Sequence, residues 1–228
     1  MESVVVFIFS IAIFVYSVVL HEIAHGYVAL QLGDPTAKAE GRLTLNPVAH
    51  VDLIWTILMP LMFILADMSP LGGAKPVPVN TFNFLDRRRG ILLTSAAGPA
   101  TNAALAIALA LLLVFTLSVL YLVSGPDSGL SLGDKILASG IATNLGLTIF
   151  NLIPIPPLDG SRILACLAPE LFADLMARLE EFGFLILILI LNVFPGSGHL
   201  LGLAISVLLN HLCGASLWLA EILTRPFV

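Results

Sequence analysis

His21-Glu22-Ile23-Ala24-His25 sets two imidazoles four residues apart, with a carboxylate beside the first. On a helix, positions i and i+4 share a face, so both imidazoles can meet one cation while Glu22 reaches the same region. Such a set suits zinc, with the neighbouring carboxylate as general base. The bland alternative is a pair of hydrogen-bonded histidines inside a helix bundle. It is disfavoured because three ionisable groups within five positions are expensive to keep in a bilayer, where such groups mark function.

Two histidines leave zinc short of a ligand, since catalytic sites commonly combine three protein donors with a water. The third must be a His, Asp, Glu or Cys at the same depth, and Asp159 fits best. It follows Asn151-Leu152-Ile153-Pro154-Ile155-Pro156-Pro157-Leu158. The prolines remove backbone donors and break a helix, and irregular backbone at membrane depth is tolerated only where it lines a cavity or is buried in protein. Taken alone, an Asp before Gly160 reads equally well as a helix cap or turn residue. Its pairing with the histidines makes it the expected ligand. His50 and Asp52 could reach the same cavity, although a loop His-x-Asp commonly closes a local turn. Asn102 sits in a run of small residues and either joins helices or supports the site. Cys166 and Cys213 lie far apart with no CxxC spacing, which suggests neither a zinc knuckle nor a redox pair.

The elements that must position these groups follow from composition. Of 228 residues, 58% are hydrophobic and only 11% charged, and the mean hydropathy is +1.03. A soluble domain is about one quarter charged, so a soluble globule, a secreted disulfide scaffold, a nucleic-acid-binding domain and a disordered chain are excluded. The formal charge of −5 says little, because acidic residues contribute weakly to membrane orientation. Apolar blocks at residues 3–32, 89–123, 135–167, 172–194 and 199–223 are each long enough to cross a bilayer, which needs about 20 residues. Met1-Glu2-Ser3 carries no basic residue, so the first block reads as a permanent helix rather than a removable signal. A shorter run at 53–66, interrupted by Pro60, reads as a re-entrant segment.

With five crossings, an outward N-terminus and a re-entrant 53–66, all basic residues except Lys135 fall on or near one side, which is then the cytosol. Lys75-Pro76-Val77-Pro78-Val79-Asn80 cannot be helical and makes an extended connection on that side. The expected fold is therefore an all-α membrane protein, a polytopic transmembrane helix bundle of about five to six helices with a re-entrant segment and short extended cytosolic-side loops. Residues 1–170 form its catalytic transmembrane core, and 171–228 form accessory C-terminal helices.

The pair of motifs, His21-Glu22-x-x-His25 and Asn151-x-x-Pro154-x-x-x-Leu158-Asp159-Gly160, resembles the site-2 protease family of intramembrane zinc metalloproteases in its minimal form without a PDZ domain. Also similar are Gly33-Asp34-Pro35-Thr36-Ala37, Gly41-Arg42-Leu43-Thr44-Leu45-Asn46-Pro47, His50-Val51-Asp52, Ala74-Lys75-Pro76-Val77-Pro78-Val79-Asn80 and Gly98-Pro99-x-x-Asn102. The likeness runs from about residue 15 to about residue 168, and the fourth and fifth blocks carry nothing diagnostic. Around the re-entrant run, where the family often presents a glycine and a hydrophobic or aromatic residue, Ile54-Trp55-Thr56 and Gly72-Gly73-Ala74 stand as a departure.

The resemblance implies His21, His25 and Asp159 as Zn2+ ligands, Glu22 as the base that activates water, and Asn151 as a donor to the developing oxyanion. Asn102, His50 and Asp52 would at most support the site. It further implies hydrolysis of peptide bonds within or near transmembrane segments, with a membrane-protein or peptide substrate, the lipid bilayer as setting and no nucleic acid. A homo-oligomer stays open. The place would be the cell membrane, multi-pass, with the active site toward the cytosol. The rival reading is a divalent metal transporter that lines its path with the same His and carboxylate cluster.

Overall fold

The computed structural model describes residues 1–65, 72–124 and 130–193, together with 203, 204, 206–208 and 211. Among them there are helices and turns but no strand. Helix α1 spans Glu2–Gln31, and the one-turn α2 spans Thr36–Ala39. After α3 (Met59–Leu65) comes the longest helix, α4 (Arg87–Ser124). Then follow α5 (Leu132–Leu152), α6 (Asp159–Leu167), α7 (Pro169–Glu180) and α8 (Gly183–Val193).

Helices α1, α4 and α5 pack on one another. Their core is Ala106, Ala110 and Leu113 of α4 against Ile141 and Leu145 of α5, all buried. Two alanines one turn apart let the helix axes approach closely, as small residues do where lipid supplies no hydrophobic drive between helices. The outward faces are the reverse: Phe7, Ile8 and Phe14 of α1 and Leu111 and Phe115 of α4 are exposed. Apolar side chains facing outward along a long helix suit contact with acyl chains. Glu2–Gln31 and Arg87–Leu120 are long and apolar enough to cross a membrane.

The third predicted block is two helices. Pro154, Pro156 and Pro157 cannot supply helical N–H donors, and α5 ends at Leu152. A Cβ at Gly160 would collide with the carbonyl oxygens of Leu152 and Ile153, so only glycine lets α6 start against the end of α5. That approach brings Asp159, the first residue of α6, back toward the bundle.

The fourth block was expected as one crossing and differs. It is cut between Glu180 and Gly183 into α7 and α8. Within twelve residues α7 carries Glu170, Asp174, Arg178 and Glu180, so it has one polar face and cannot be a lipid-embedded rod. Its turn into α8 is held by contact: a Cβ at Gly183 would land on the Pro156 carbonyl. The fifth block lies outside the described residues except at isolated positions.

The 53–66 run begins with a π turn, Leu53–Leu58, and continues as α3. Asp52 starts it by accepting the Ile54 and Trp55 amides, both at 2.9 Å. The chain then returns to its point of departure. Gly73 N–H donates to Trp55 O at 3.0 Å, Lys75 N–H donates to His50 O at 2.8 Å, and Thr56 Oγ1 donates to Gly73 O at 2.8 Å. Trp55 also stacks edge-to-face on Phe184 of α8, with ring centroids 4.7 Å apart.

Candidate active site

The structure brings together three of the predicted donors. Asp159 Oδ2 lies 3.3 Å from His21 Nε2 and 3.4 Å from His25 Nε2. The ligand atoms of the three residues all fall within 4.8 Å of one another, and among the described residues no other His, Cys, Asp and Glu group gathers this way. Around a tetrahedral ion with bonds near 2.05 Å, adjacent ligands stand about 3.3 Å apart, so the spacing fits zinc. Two imidazoles and a carboxylate suit the same ion chemically.

Each imidazole is fixed from behind by α4. His25 Nδ1 is 2.7 Å from the Thr94 carbonyl, which can only accept, so Nδ1 carries the hydrogen and Nε2 keeps its lone pair for a metal. His21 Nδ1 is 2.6 Å from Asn102 Oδ1. The orientation of that amide is set by its own donors: Asn102 Nδ2 gives hydrogen bonds to Ser17 O at 3.3 Å and to Asn144 Oδ1 at 3.0 Å. Asn144 in turn donates to Gly140 O at 3.0 Å. One fully buried amide thus ties α1, α4 and α5 together and selects the His21 tautomer. Asn102 therefore joins the three helices and contacts the His21 imidazole directly.

Gly98 explains how α4 comes so near. A Cβ there would stand 2.5 Å from the Nε2 atoms of both His21 and His25. Glycine exposes bare backbone to the metal-facing edges of the rings, and any side chain would occupy that space.

Glu22, next to His21 on α1, is half-buried, and its Oε2 accepts the Val77 N–H at 2.8 Å. Asn151, near the end of α5, donates through Nδ2 to Leu147 O one turn back, at 3.0 Å. His50 and Asp52 are not brought into the donor cluster. His50 is buried and donates from Nε2 to Thr44 O at 2.9 Å, and Asp52 caps the π turn. Both serve the local turn that the His-x-Asp pattern suggested as an alternative.

Thr94 and Asn144, behind the imidazoles, were not singled out by sequence, and Asp34 and Arg42, around the 75–80 strap, entered only as members of the 33–37 and 41–47 runs. Asp34, fully buried in the loop after α1, accepts from Thr36, from Asn80 N–H at 2.7 Å and from Asn83 Nδ2 at 2.7 Å. Burial works against its charge, but hydrogen bonds from the Thr36 hydroxyl, Asn83, and the Asn80 and Thr36 amides prevail and hold it below the usual carboxylate range. Its sequence signals, the Gly33-Asp34-Pro35 turn and the likeness of that run to the family, give no hint of partners more than 40 residues away.

Residues 131–194 match the profile described as peptidase family M50. The chain is 39% identical over 188 residues to YwhC of Bacillus subtilis (strain 168), named a candidate zinc metalloprotease, covering 82% of this chain and 81% of that one. It is 32% identical over 194 residues to Rip2 of Mycolicibacterium smegmatis, with 82% and 67% covered. Rip2 of Mycobacterium tuberculosis H37Rv is likewise 32% identical, over 197 residues, with 83% and 68% covered. Both Rip2 proteins are also named candidate zinc metalloproteases. No solved structure matches the chain.

Proposed function

The chain belongs to peptidase family M50, the site-2 protease family of metalloproteases, and on that footing we propose that it is a zinc enzyme hydrolysing peptide bonds within or beside transmembrane segments. Membership in a peptidase family sets aside the metal-transporter alternative. The observation that carries the reading is the convergence of His21 Nε2, His25 Nε2 and Asp159 Oδ2, with both imidazole tautomers held from α4.

Bound by these three residues, zinc would polarise the scissile carbonyl and lower the pKa of a water from about 15.7 toward 7. The other work falls to the chain's own groups. Glu22 accepts the proton of the attacking water and returns it to the leaving amine, with Oε2 anchored by Val77 and Oε1 left for the transfer. Asn151 supplies an amide N–H toward the charge that develops on the carbonyl oxygen, using the N–H not directed at Leu147. A helical substrate hides its carbonyls in i→i−4 hydrogen bonds and must unwind before attack. The 75–80 strap and the 153–158 break offer non-helical backbone next to the site for that extended segment.

Residues 1–170 are the catalytic core in this reading, and 171–228 are accessory. The 53–66 run dips into the bilayer and returns, a path supported by the hydrogen bonds between its two ends. In this reading the chain is a multi-pass protein of the cell membrane with its site toward the cytosol, which the clustering of Lys38, Arg42, Lys75, Arg87, Arg88 and Arg89 between the two membrane-capable helices supports. The test is cleavage of a membrane-embedded helix by the purified chain with zinc counted. Glu22→Gln keeps one zinc and loses cleavage, whereas an active Glu22→Gln enzyme refutes the assignment.

A further inference from the structure

The strap Lys75-Pro76-Val77-Pro78-Val79-Asn80 is held at four points. Lys75 N–H donates to His50 O at 2.8 Å. Arg42 Nη2 donates to Lys75 O at 2.7 Å and reaches Pro76 O at 3.5 Å. Val77 N–H donates to Glu22 Oε2 at 2.8 Å, and Asn80 N–H donates to Asp34 Oδ2 at 2.7 Å. Prolines on both sides of Val77 have no N–H, and Pro78 keeps Val77 extended. Between residues 76 and 78 the strap therefore offers one donor, and it goes to the catalytic carboxylate.

The strap also rests on the helix that carries the motif. Gly26 follows His25 directly, and a Cβ there would stand 2.7 Å from both Val77 Cγ1 and Leu43 Cδ2. Arg42 is delivered by Gly41, whose φ of +65° is a left-handed turn that glycine adopts without strain. Its side chain is buried, with 6% exposure, and the strap carbonyls are its side-chain partners. A guanidinium is costly to bury, and here it fixes the backbone immediately before the donor to Glu22.

Building on the protease reading, we propose that Arg42 is a positioning residue for Glu22. Its guanidinium holds the Lys75 and Pro76 carbonyls, and this sets the Val77 N–H that orients the Glu22 carboxylate for proton transfer. The role is distinct from metal binding, because none of these contacts touches His21, His25 or Asp159.

The experiment uses the full-length purified protein, a membrane-helix substrate, and kcat, KM and zinc content as readouts. Val77→Pro deletes the one N–H and lowers kcat at least about tenfold, with KM within about twofold and one zinc per chain. Val77→Ala, which keeps the N–H but loses packing, stays within about threefold of wild type. Arg42→Met lowers kcat about as much as Val77→Pro, and Arg42→Lys, which keeps a buried donor but on a shorter stem, recovers only part of it. In the Val77→Pro background, Arg42→Met costs less than about a further twofold, because both changes break one linkage.

Losses that multiply, or losses that track zinc content, make Arg42 a merely structural residue and overturn the proposal. If Arg42→Met does not fold, Val77→Pro against Val77→Ala and Arg42→Lys decide the question. A Val77→Pro enzyme with wild-type kcat, alongside a dead Glu22→Gln, overturns the positioning role alone. A wild-type chain that cleaves nothing overturns the protease reading and this inference with it.

Discussion

His21 and Glu22 are neighbours on one helix, yet they are held by different kinds of structure. The imidazoles are fixed from behind by α4, through a buried side-chain amide and a helix carbonyl that cannot move without moving the bundle. The carboxylate is fixed by a loop, whose Val77 N–H is set by contacts from two other loops. The metal half of the site thus draws its precision from helix packing, and Glu22, the proposed base, draws its precision from an extended strap. A metal needs constant geometry, whereas a base must let its carboxylate take up a proton and release it. The two supports should therefore fail differently: damage to the first releases metal, and damage to the second slows chemistry with metal retained.

The largest effect is expected at the closest approach of α4. Gly98→Ala places a methyl where both Nε2 atoms stand, so α4 or the rings must move by an ångström or so. Displacement of that size costs at least about a hundredfold in rate, and metal analysis of the same sample shows zinc well below one per chain. If Gly98→Ala keeps its zinc and loses only kcat, the metal half is not as rigid as its packing implies.

Asn102→Leu comes next. It removes the acceptor from His21 Nδ1 and unpairs Asn144 and Ser17 O inside the bundle. Loss of such an outer partner typically lowers metal affinity about 10–100-fold. Competition with a chelator reads that change, and the same assay on Val77→Pro returns the wild-type affinity. Equal losses in the two variants erase the distinction between the supports.

This division also explains what could be read from the chain and what could not. The convergence of His21, His25 and Asp159 was legible because its signals are local: a helical spacing of four, and a proline run that opens a helix beside a carboxylate. Helices α1 and α4 were legible from apolar length. The cut between α7 and α8 was not, because the block's overall hydropathy hides a polar face that only a helical projection reveals. Asn102 was named as either a helix joint or a site support, but its partners at Ser17, His21 and Asn144 were not legible because they are far away in sequence. The Val77 contribution is made by backbone and has no side-chain signature; only the flanking prolines mark it. His50 and Asp52 bear chemistry-capable side chains but use them to close a turn.

The smallest effect tests the far end of the strap, where Asp34 holds Asn80 and Asn83. Because the folded protein keeps the Asp34 pKa below its ordinary value, the charged form is favoured by folding. Its contribution to stability is fully present above the unfolded-state pKa of about 3.9, and is lost as pH falls through the lower folded-state value. Asp34→Asn keeps one acceptor oxygen and loses the charge, so it destabilises by about 1–3 kcal/mol at neutral pH. Thermal unfolding in detergent from pH 7 down to pH 3 reads the comparison. The wild-type advantage over Asp34→Asn is constant near neutrality and shrinks below about pH 4. Since the strap is anchored at four points, loosening one of them leaves Val77 on Glu22 most of the time, and kcat falls only about two- to threefold with zinc unchanged. A large loss of zinc in Asp34→Asn would mean that the loop reaches the metal half after all.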